Sequence, residues 1–273
     1  LEDYVSAMST LGQLETHLAG LERVLLGYSG GTDSALLAVA GTRALGPERF
    51  LAVIGRSPSY PRFQYDAALA VAAQFGVPVL EAATDELNDP NYAANPVNRC
   101  YFCKGELWAV VTGIARERGF ATIIDGTNAD DANEHRPGLR AGSEYRIESP
   151  LLELGWTKAM VRSAARELGL PAWNAPASPC LSSRIQFGLA VTRERLHQVE
   201  RGEAFLRALG VAGDLRVRHH DVRVRIEAEP AFFPLIEQNW PAVNKFFQDI
   251  GVPAVELDPR GYRRGGLLPV LAR

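Results

Sequence analysis

The sequence predicts an α/β fold, with a doubly wound parallel sheet followed by a smaller, C-terminal mixed α/β domain. Short β-rich runs alternate with helical segments along the N-terminal part of the chain, which is typical of a parallel sheet covered on both faces. A proline-rich segment then precedes a different order of helices and strands. With 273 residues, of which 47% are hydrophobic, the chain is long enough for one or two domains.

Apolar spacing predicts the elements of the N-terminal part. Four leucines recur at helical spacing between positions 11 and 21, and the apolar run at 23–28 predicts a buried strand. Further strands are predicted at 50–54, 78–82 and 121–125, and helices at 35–40, 61–75, 103–118 and 157–168. Ligands of such sheets bind at the carboxyl ends of the strands, where the loops at Ser29, Gly55 and Asp125 are expected to converge.

A second domain is predicted after the proline-rich segment. Pro171, Pro176 and Pro179 exclude a regular helix there, so we place the boundary between positions 177 and 188. Residues 1–180 then form the first domain and residues 181–273 the second. The elements predicted for the second domain are a helix at 192–209, strands at 215–218 and 222–228, and a helix around 235–247.

Composition argues against several classes of protein. The net charge is −3, and residues 1–184, with 16 basic and 21 acidic side chains, carry −5, whereas a nucleic-acid-binding protein usually carries excess positive charge. No apolar run approaches the roughly 18 residues of a membrane-spanning helix, and no secretory leader pattern is recognised. Three cysteines are too few, and odd in number, for a disulfide framework, so we expect a reducing compartment, the cytoplasm.

A glycine-rich segment, SGGTDS at 29–34, lies between the first predicted strand and its helix. Glycines let a backbone approach phosphate oxygens, and a helix amino terminus attracts anions. The segment lacks the Gly-Lys-Ser/Thr of a kinase-type loop, and Asp33 is suited to hold a divalent cation beside the phosphates. The alternative is an ordinary strand-to-helix turn capped by Ser or Asp. The candidate nucleotide-binding residues are Ser29, Gly30, Gly31, Asp33 and Ser34.

A second loop, DGTN at 125–128, follows another predicted strand. Its alternative interpretation is a glycine-containing turn in which Asn caps the next helix. Together with the first loop, it favours a nucleotide site at the carboxyl edge of the sheet. Its candidate residues are Gly126, Thr127 and Asn128.

The three cysteines form a pair and a single residue. Cys100 and Cys103 are spaced as Cys-x-x-Cys at the start of a predicted helix, and Cys180 lies among prolines. A closed zinc site would need a fourth ligand, which His135 could supply. A four-iron cluster can be held by three cysteines, which leaves one iron open. The other interpretations are sulfur-carrying cysteines without a cluster, or a redox-active pair with a buried thiol.

The two glycine-containing loops resemble a known superfamily. The loop at 29–34 resembles the pyrophosphatase loop of the ATP-pyrophosphatase (PP-loop) superfamily, whose enzymes split ATP into AMP and pyrophosphate. The loop at 125–128 is similar to the second nucleotide loop of that superfamily. The resemblance implies that residues 1–180 form a Rossmann-like PP-loop domain that binds ATP and Mg²⁺.

Further segments narrow the resemblance to one family, over nearly the full length of the chain. They are Arg136-Pro137-Gly138 with Glu144, PCLSSR at 179–184 followed by Phe187-Gly188, and RVRHH at 216–220 leading to Arg225-Ile226-Glu227. Together with the first loop they look like the LarE family. Its members are ATP-dependent sulfur transferases that convert the carboxylates of pyridinium-3,5-biscarboxylic acid mononucleotide to thiocarboxylates. This reaction belongs to the biosynthesis of the nickel-pincer nucleotide cofactor of lactate racemase.

The cysteine pattern resembles one branch of that family. In the sacrificial branch a cysteine before the Ser-Ser-Arg sequence gives up its sulfur, but Pro179 occupies that place here and Cys180 follows it. The resemblance instead implies the branch in which Cys100, Cys103 and Cys180 hold a [4Fe-4S] cluster whose open iron carries the transferable sulfide. Sulfide or a sulfur donor protein would then supply the sulfur.

The resemblance also implies roles for single residues. Ser183, Arg184 and Arg216 would contact the substrate's phosphate. Glu203 would lie near the active site, and Lys104 would stabilise charge on the adenylate. An acidic residue that the sacrificial branch uses beyond Glu227 is replaced near Leu235. For each of these residues a surface salt bridge is the alternative. The family further implies a homo-oligomer, with residues 181–273 binding substrate and supporting oligomerisation.

Other functions share some of these motifs. A tRNA 2-thiolation enzyme of the same superfamily also combines a PP-loop with a cysteine pair and a third cysteine. The acidic N-terminal part, and the lack of an added RNA-binding segment, argue against it. An amide-forming synthetase would not need three cysteines, and a nucleotide or redox sensor would bind ATP without releasing pyrophosphate.

Overall fold

A computed structural model of the chain describes residues 10–131, 137–171, 173–174, 179–263 and 267. The chain divides into two compact units. The first comprises Leu1–Ser57, Arg62–Asp85 and Cys100–Ser178, and the second Pro58–Pro61, Glu86–Arg99 and Pro179–Arg273. The second unit thus takes two short segments from the N-terminal part of the sequence. His135, Arg136 and Pro176 lie outside the described residues.

The described elements begin with the predicted alternation of helices and strands. The strands are β1 (Val24–Gly27), β2 (Phe50–Arg56), β3 (Val79–Ala83), β4 (Thr122–Ile124), β5 (Leu215–His219), β6 (Arg223–Ala228) and β7 (Ala254–Leu257). The helices are α1 (Thr10–Ala19), α2 (Thr32–Leu45), α3 (Arg62–Phe75), α4 (Pro90–Ala93), α5 (Arg99–Arg118), α6 (Pro137–Glu144), α7 (Pro150–Glu153), α8 (Lys158–Glu167), α9 (Arg193–Ala208), α10 (Phe233–Gln238) and α11 (Trp240–Asp249). Short 3-10 helices span Glu86–Asn88, Leu181–Arg184 and Pro230–Phe232. Within the described ranges, no helix has the length and apolar character needed to cross a membrane.

The first unit contains a parallel sheet with the strand order β3-β2-β1-β4. Val24, Leu25 and Leu26 of the central strand β1 are completely buried, as expected where helices cover both faces of a sheet. Leu26 pairs with Ile124 of β4, so the loops that follow β1 and β4 start at the same edge. This sheet, together with the smaller mixed sheet of the second unit, confirms the predicted fold class.

Trp108 of α5 packs at the carboxyl end of β1. It is 1% exposed and belongs to the core of the first unit. A Cβ at Gly27 would lie 2.6 Å from Trp108 Cη2, so only glycine lets the helix approach the end of the strand this closely. The indole therefore packs against the last residue of β1, just before the loop at 29–34.

The second unit contains a small mixed sheet, in which β5 and β6 are antiparallel and β6 and β7 are parallel. Helices α9 and α11 pack together over its apolar core. A Cβ at Gly202 of α9 would lie 2.7 Å from Phe247 Cε1, so this glycine allows the close approach of the two helices.

The structure differs from several predicted element bounds. The single helix expected around 235–247 is two helices, α10 and α11, because Pro241 has no N–H group to continue the hydrogen-bonding pattern. Strand β7 adds to the two strands predicted for the small sheet. Helix α5 begins at Arg99 rather than near position 103, so Cys100 and Cys103 both lie in its first turns. Helices α4, α6 and α7 are too short for the helical spacing of apolar residues to reveal them.

Candidate functional site

The loop at 29–34 forms a compact turn between β1 and α2. Gly30 adopts φ +68°, a conformation that glycine reaches without strain. Ser34 Oγ donates to the Gly31 carbonyl at 3.0 Å and accepts from the Ser29 backbone N–H at 3.3 Å. The N-cap residue of α2 is Gly31, which has no side chain of its own to cap the first turn. Because α2 begins in this loop, the positive end of its dipole lies there.

Asp33 connects the first loop to the second loop and to a lysine. Its Oδ1 accepts from Asn128 Nδ2 at 3.1 Å, and its Oδ2 pairs with Lys158 Nζ. The Asp33 side chain is 20% exposed and that of Lys158 34%, so water reaches both. The structure thus brings together two loops that are 95 residues apart along the chain.

Lys158 is a residue that the sequence analysis missed. It is the first residue of α8, after Thr157, whose Oγ1 accepts from the Met160 backbone N–H at 3.4 Å as the N-cap. A cation at a helix amino terminus is unfavourable against the helix dipole. That position, for one of only three lysines in the chain, was the available signal of a specific partner.

The second loop is held by Asp125 and by a close contact at Gly126. Asp125 Oδ1 accepts from the Thr127 backbone N–H at 3.0 Å and from Ser149 Oγ at 2.8 Å, and its Oδ2 accepts from Thr127 Oγ1 at 2.9 Å. A Cβ at Gly126 would lie 3.0 Å from the Ser34 backbone nitrogen. Because glycine is needed for this approach, the two loops pack backbone against backbone.

Cys100 and Cys103 lie one turn apart at the start of α5. Cys100 is exposed, Cys103 is partly exposed, and none of the three cysteines, all within the described ranges, forms a disulfide bond. Lys104, the next residue, places its Nζ 4.8 Å from the centre of the Trp108 ring. A Cβ at Gly138 would lie 3.1 Å from Lys104 Cγ, so α6 packs closely on this turn.

A hydrogen bond also ties α6 to the cysteine turn. Tyr101, between the two cysteines, donates to Glu144 Oε2 at 2.7 Å, and Arg140 Nε donates to Glu144 Oε1 at 2.9 Å. The hydrogen bond to the carboxylate raises the pKa of Tyr101, and the bond from Tyr101 lowers the pKa of Glu144. Glu144, which belongs to one of the segments that carry the family resemblance, thus contacts the cysteine turn.

In the second unit, Arg184 and Glu203 form a buried ion pair beside Cys180. Arg184 is completely buried, and its Nε and Nη2 donate to Glu203 Oε1 at 2.9 Å and Oε2 at 3.2 Å. Ser183 Oγ accepts from Arg184 Nη1 at 3.1 Å. The structure thus brings Ser183, Arg184 and Glu203 together next to Cys180, which is partly exposed.

Arg216 of β5 lies in the same unit and is 7% exposed. Its guanidinium carbon is 5.1 Å from the centre of the Tyr262 ring, and its Nη1 donates to the Leu215 carbonyl at 2.7 Å. Burial, followed by the positive charge of Arg184, lowers the pKa of Arg216. An anion beside the Arg216 guanidinium would stabilise its charged form.

A buried charge network that the sequence analysis missed extends from this region. Arg218 Nε donates to Glu227 Oε2 at 3.0 Å, and Arg225 Nη2 donates to Glu227 Oε1 at 3.4 Å. Glu227 is completely buried, and the Arg225 guanidinium also lies 3.4 Å from Asp258 Oδ2. The available signal was the alternation of arginines along β5, which places Arg216 and Arg218 on one face of the strand.

In the part of the chain that the structure describes, no group of three or more His, Cys, Asp or Glu side chains is placed to hold a metal ion. Cys100 and Cys103 belong to the first unit and Cys180 to the second. His135, the candidate fourth zinc ligand, and Arg136 lie outside the described residues.

Comparisons with known proteins match the chain to a family model and to individual proteins. A family model described as NAD synthase matches residues 6–94. The chain is 40% identical over 267 residues to an uncharacterized protein of Synechocystis sp., covering 97% of this chain and 99% of the relative. It is 34% identical over 256 residues to the pyridinium-3,5-bisthiocarboxylic acid mononucleotide synthase of Lactiplantibacillus plantarum, covering 94% of this chain and 92% of that protein. An uncharacterized protein of Methanocaldococcus jannaschii is 28% identical over 242 residues, covering 89% and 91%.

Proposed function

The chain belongs to the LarE family, and we propose that it uses ATP to convert the carboxylates of pyridinium-3,5-biscarboxylic acid mononucleotide to thiocarboxylates. As a family member with a PP-loop domain it is an ATP-using enzyme. The observation that carries the proposal is the contact of Asp33 with Asn128 at 3.1 Å, because it joins the two candidate nucleotide loops at one edge of the sheet.

The chemistry requires activation of the carboxylate. Sulfide cannot displace oxide from a carboxylate, because oxide is a very poor leaving group. In the proposed reaction a carboxylate oxygen attacks the α-phosphorus of ATP, and the bond to pyrophosphate breaks. Sulfide sulfur then attacks the acyl carbon, and the bond to AMP breaks. Two such cycles would give the bisthiocarboxylate.

The loop at 29–34 and Lys158 would bind the phosphates of ATP. The first turn of α2 directs its dipole at the loop, and Asp33 offers the oxygen ligands that Mg²⁺ prefers. When bound, the cation would neutralise charge on the departing pyrophosphate. If Asp33 turned toward a cation, Lys158 Nζ would be free to pair with a phosphate oxygen instead. Gly126, Thr127 and Asn128 would complete the nucleotide site.

Residues 1–180 would accordingly bind ATP, and residues 181–273 would bind the mononucleotide and support a homo-oligomer. Ser183, Arg184 and Arg216 are the proposed contacts of the substrate's phosphate. The lowered pKa of Arg216 supports this, because a nearby anion would stabilise a guanidinium that burial destabilises. Lys104, beside the cysteine turn, would stabilise charge on the adenylate.

Cys100, Cys103 and Cys180 are the proposed ligands of a [4Fe-4S] cluster. The donor set fits such a cluster in its chemistry, since three thiols are present and none is oxidised to a disulfide. When bound, the cluster would offer one open iron to the transferable sulfide, which sulfide or a sulfur donor protein would replenish. The same cysteine count supports a reducing, cytoplasmic location.

The proposal is tested by incubating the protein with ATP, Mg²⁺, sulfide and the biscarboxylate mononucleotide without oxygen. We expect pyrophosphate release that depends on the substrate, and a thiocarboxylate product detected by mass spectrometry. A pyridinium mononucleotide without carboxylates is the control and should release no pyrophosphate. Release that is the same with both nucleotides would contradict the proposal.

The second candidate is a tRNA 2-thiolation enzyme, which the PP-loop and the three cysteines also favour. Filter binding with bulk tRNA at several salt concentrations separates the two functions. A tRNA-modifying enzyme would bind tightly with a steep salt dependence. We expect weak binding, because residues 1–184 carry a net charge of −5.

A further inference from the structure

The peptide group that follows Cys180 is fixed on both sides. Its carbonyl accepts from the Ser183 backbone N–H at 3.0 Å and from Arg184 Nη1 at 3.1 Å. Its N–H, which belongs to Leu181, donates to the Ser59 carbonyl at 2.8 Å. The peptide group before Cys180 is also held, because Arg184 Nη1 donates to the Pro179 carbonyl. With both neighbouring peptide groups held, the position of Cys180 Sγ depends mainly on rotation about the Cα–Cβ bond.

Residues 179–185 form a segment that we call the Cys180 loop. Arg184 makes the side-chain contacts that close it. Its Nη1 donates to the carbonyls of Pro179 and Cys180, while Nε and Nη2 donate to Glu203. All three guanidinium nitrogens are therefore engaged, and the side chain is completely buried. A lysine could not make the paired contact with the carboxylate and hold two carbonyls at the same time.

Glu203 connects this arginine to two regular elements. It lies on α9, and its Oε1 also accepts from the Val217 backbone N–H of β5 at 3.1 Å. The Glu203 side chain is 12% exposed, so its charge interacts with Arg184 at reduced solvent screening. Through Arg184, the carboxylate thus connects the Cys180 loop to α9 and β5.

We propose that Arg184 and Glu203 are positioning residues that fix the direction of Cys180 Sγ. This deepens the proposed function and rests on it only in treating Cys180 as a residue of the sulfur-transfer step. Glu203 then acts through Arg184 and the loop, without touching the reacting atoms. Arg184 acts on Cys180 through its hydrogen bonds to the Pro179 and Cys180 carbonyls.

The first test is amide hydrogen exchange of the full chain, in the parent and in Glu203→Gln. We expect the Leu181 and Ser183 amides to exchange about tenfold faster in the variant, the effect of losing one charge-assisted hydrogen bond. Peptides of β1 and β2 should be unchanged. The matched control is Glu194→Gln, which removes an exposed carboxylate from the same helix. Equal protection of the loop in parent and variant would overturn the proposal.

The second test measures the reactivity of Cys180 without iron. In a Cys100→Ser/Cys103→Ser background, Cys180 is the single thiol, and its alkylation by iodoacetamide can be followed by mass spectrometry. Glu203→Gln should change the rate by about threefold or more. Arg184→Lys should act in the same direction and serves if the first variant does not fold. An unchanged rate in both variants would contradict a positioning role.

The third test separates positioning from substrate binding. Glu203→Gln should leave the KM for ATP within about twofold and lower the kcat of thiocarboxylate formation about tenfold. Glu203→Asp, which keeps the charge, should recover part of this loss. A raised KM for the mononucleotide with unchanged kcat would overturn the proposal. If the parent forms no thiocarboxylate, the proposed function fails, while exchange and alkylation still decide the positioning role.

Discussion

Lys158 contacts a residue that its position along the chain does not indicate. It starts a helix, where a cation is disfavoured, yet its Nζ pairs with Asp33 of the loop at 29–34. The pair keeps a positive charge beside that loop. A cation and a carboxylate in contact can separate when Mg²⁺ and an anionic ligand offer each of them a new partner.

The first prediction concerns this pair. Lys158→Met should lower substrate-dependent pyrophosphate release about 100-fold, because one preorganised positive charge on the phosphates is lost. A coupled pyrophosphate assay measures the rate. Lys245→Met is the control, since Lys245 is an exposed lysine paired with Asp249 in the second unit. Equal rates for Lys158→Met and the parent would exclude Lys158 from the ATP site.

The second prediction concerns Gly126, where two backbones meet. Gly126→Ala would place a Cβ 3.0 Å from the Ser34 nitrogen, and separating the loops should raise the Kd for ATP about tenfold. Titration calorimetry with ATP and Mg²⁺ measures this. Gly113→Ala is the control, because a Cβ there meets nothing within 4 Å. It should leave the Kd unchanged and raise the free energy of unfolding by about 0.5–1 kcal/mol.

At the scale of elements, strand β5 concentrates buried polar side chains. Arg216, Arg218 and His219 are all buried. The hydrogen-bond partners of Arg218 and His219 come from α9, β6 and the Cys180 loop. His219 Nε2 lies 2.9 Å from Gln198 Oε1 of α9. A strand with polar side chains on a covered face is stable only if their hydrogen bonds are made, which ties its neighbours to one arrangement.

The third prediction is a pH dependence that originates in this strand. Burial, followed by the charge of Arg195, lowers the pKa of His219 from its usual 6.5 to about 4. Between these values the unfolded chain binds a proton that the folded chain does not, so stability is lost as the pH falls from about 6.5 to about 4.

Urea unfolding at pH 7 and pH 5 measures this effect. The contribution of His219 to the difference should be up to about 2 kcal/mol, and His219→Gln should reduce the difference by that amount. His197→Gln replaces an exposed histidine of α9 and is the control. If His219→Gln and the control show the same pH dependence as the parent, His219 is not responsible for the loss.

At the scale of the whole molecule, the residues proposed to take part in the reaction are distributed over both units. The two candidate nucleotide loops, Lys158 and the cysteine pair belong to the first unit, and Cys180, Arg184 and Arg216 to the second. The second unit also includes Pro58–Pro61 and Glu86–Arg99, so the segment just before Cys100 packs with the Cys180 loop. Asn95 illustrates this, since its Nδ2 donates to the Gln186 carbonyl at 2.9 Å and its Oδ1 accepts from Arg99.

The fourth prediction is the iron content of the complete chain. Protein purified without oxygen should contain about four iron atoms per chain, with at least as much acid-labile sulfide. Cys100→Ala, Cys103→Ala and Cys180→Ala should each lose the cluster and the sulfur transfer, but bind ATP with nearly the parental Kd. Transfer at the parental rate by any one variant would contradict the three-ligand proposal, as would negligible iron after careful reconstitution.

Local sequence determined the fold class and the position of the glycine-rich loop at 29–34. The alternation of β-rich and helical runs predicts the parallel sheet, and SGGTDS lies between β1 and α2 as expected. The assignments of single residues to ATP, substrate and cluster remain predictions. Apolar periodicity and glycine spacing act over a few residues, so they are readable from the chain alone.

Only the tertiary structure decided which distant side chains meet. Asp33 and Lys158 are 125 residues apart, and Asn95 reaches a carbonyl 91 residues away. No periodicity encodes such pairs, because they depend on strand order and on how closely helices approach one another. Pro241 indicates the break between α10 and α11, but the apolar spacing across it predicts a single helix. Buried polar groups need hydrogen-bond partners. Which partners lie close enough is determined only when the chain is folded.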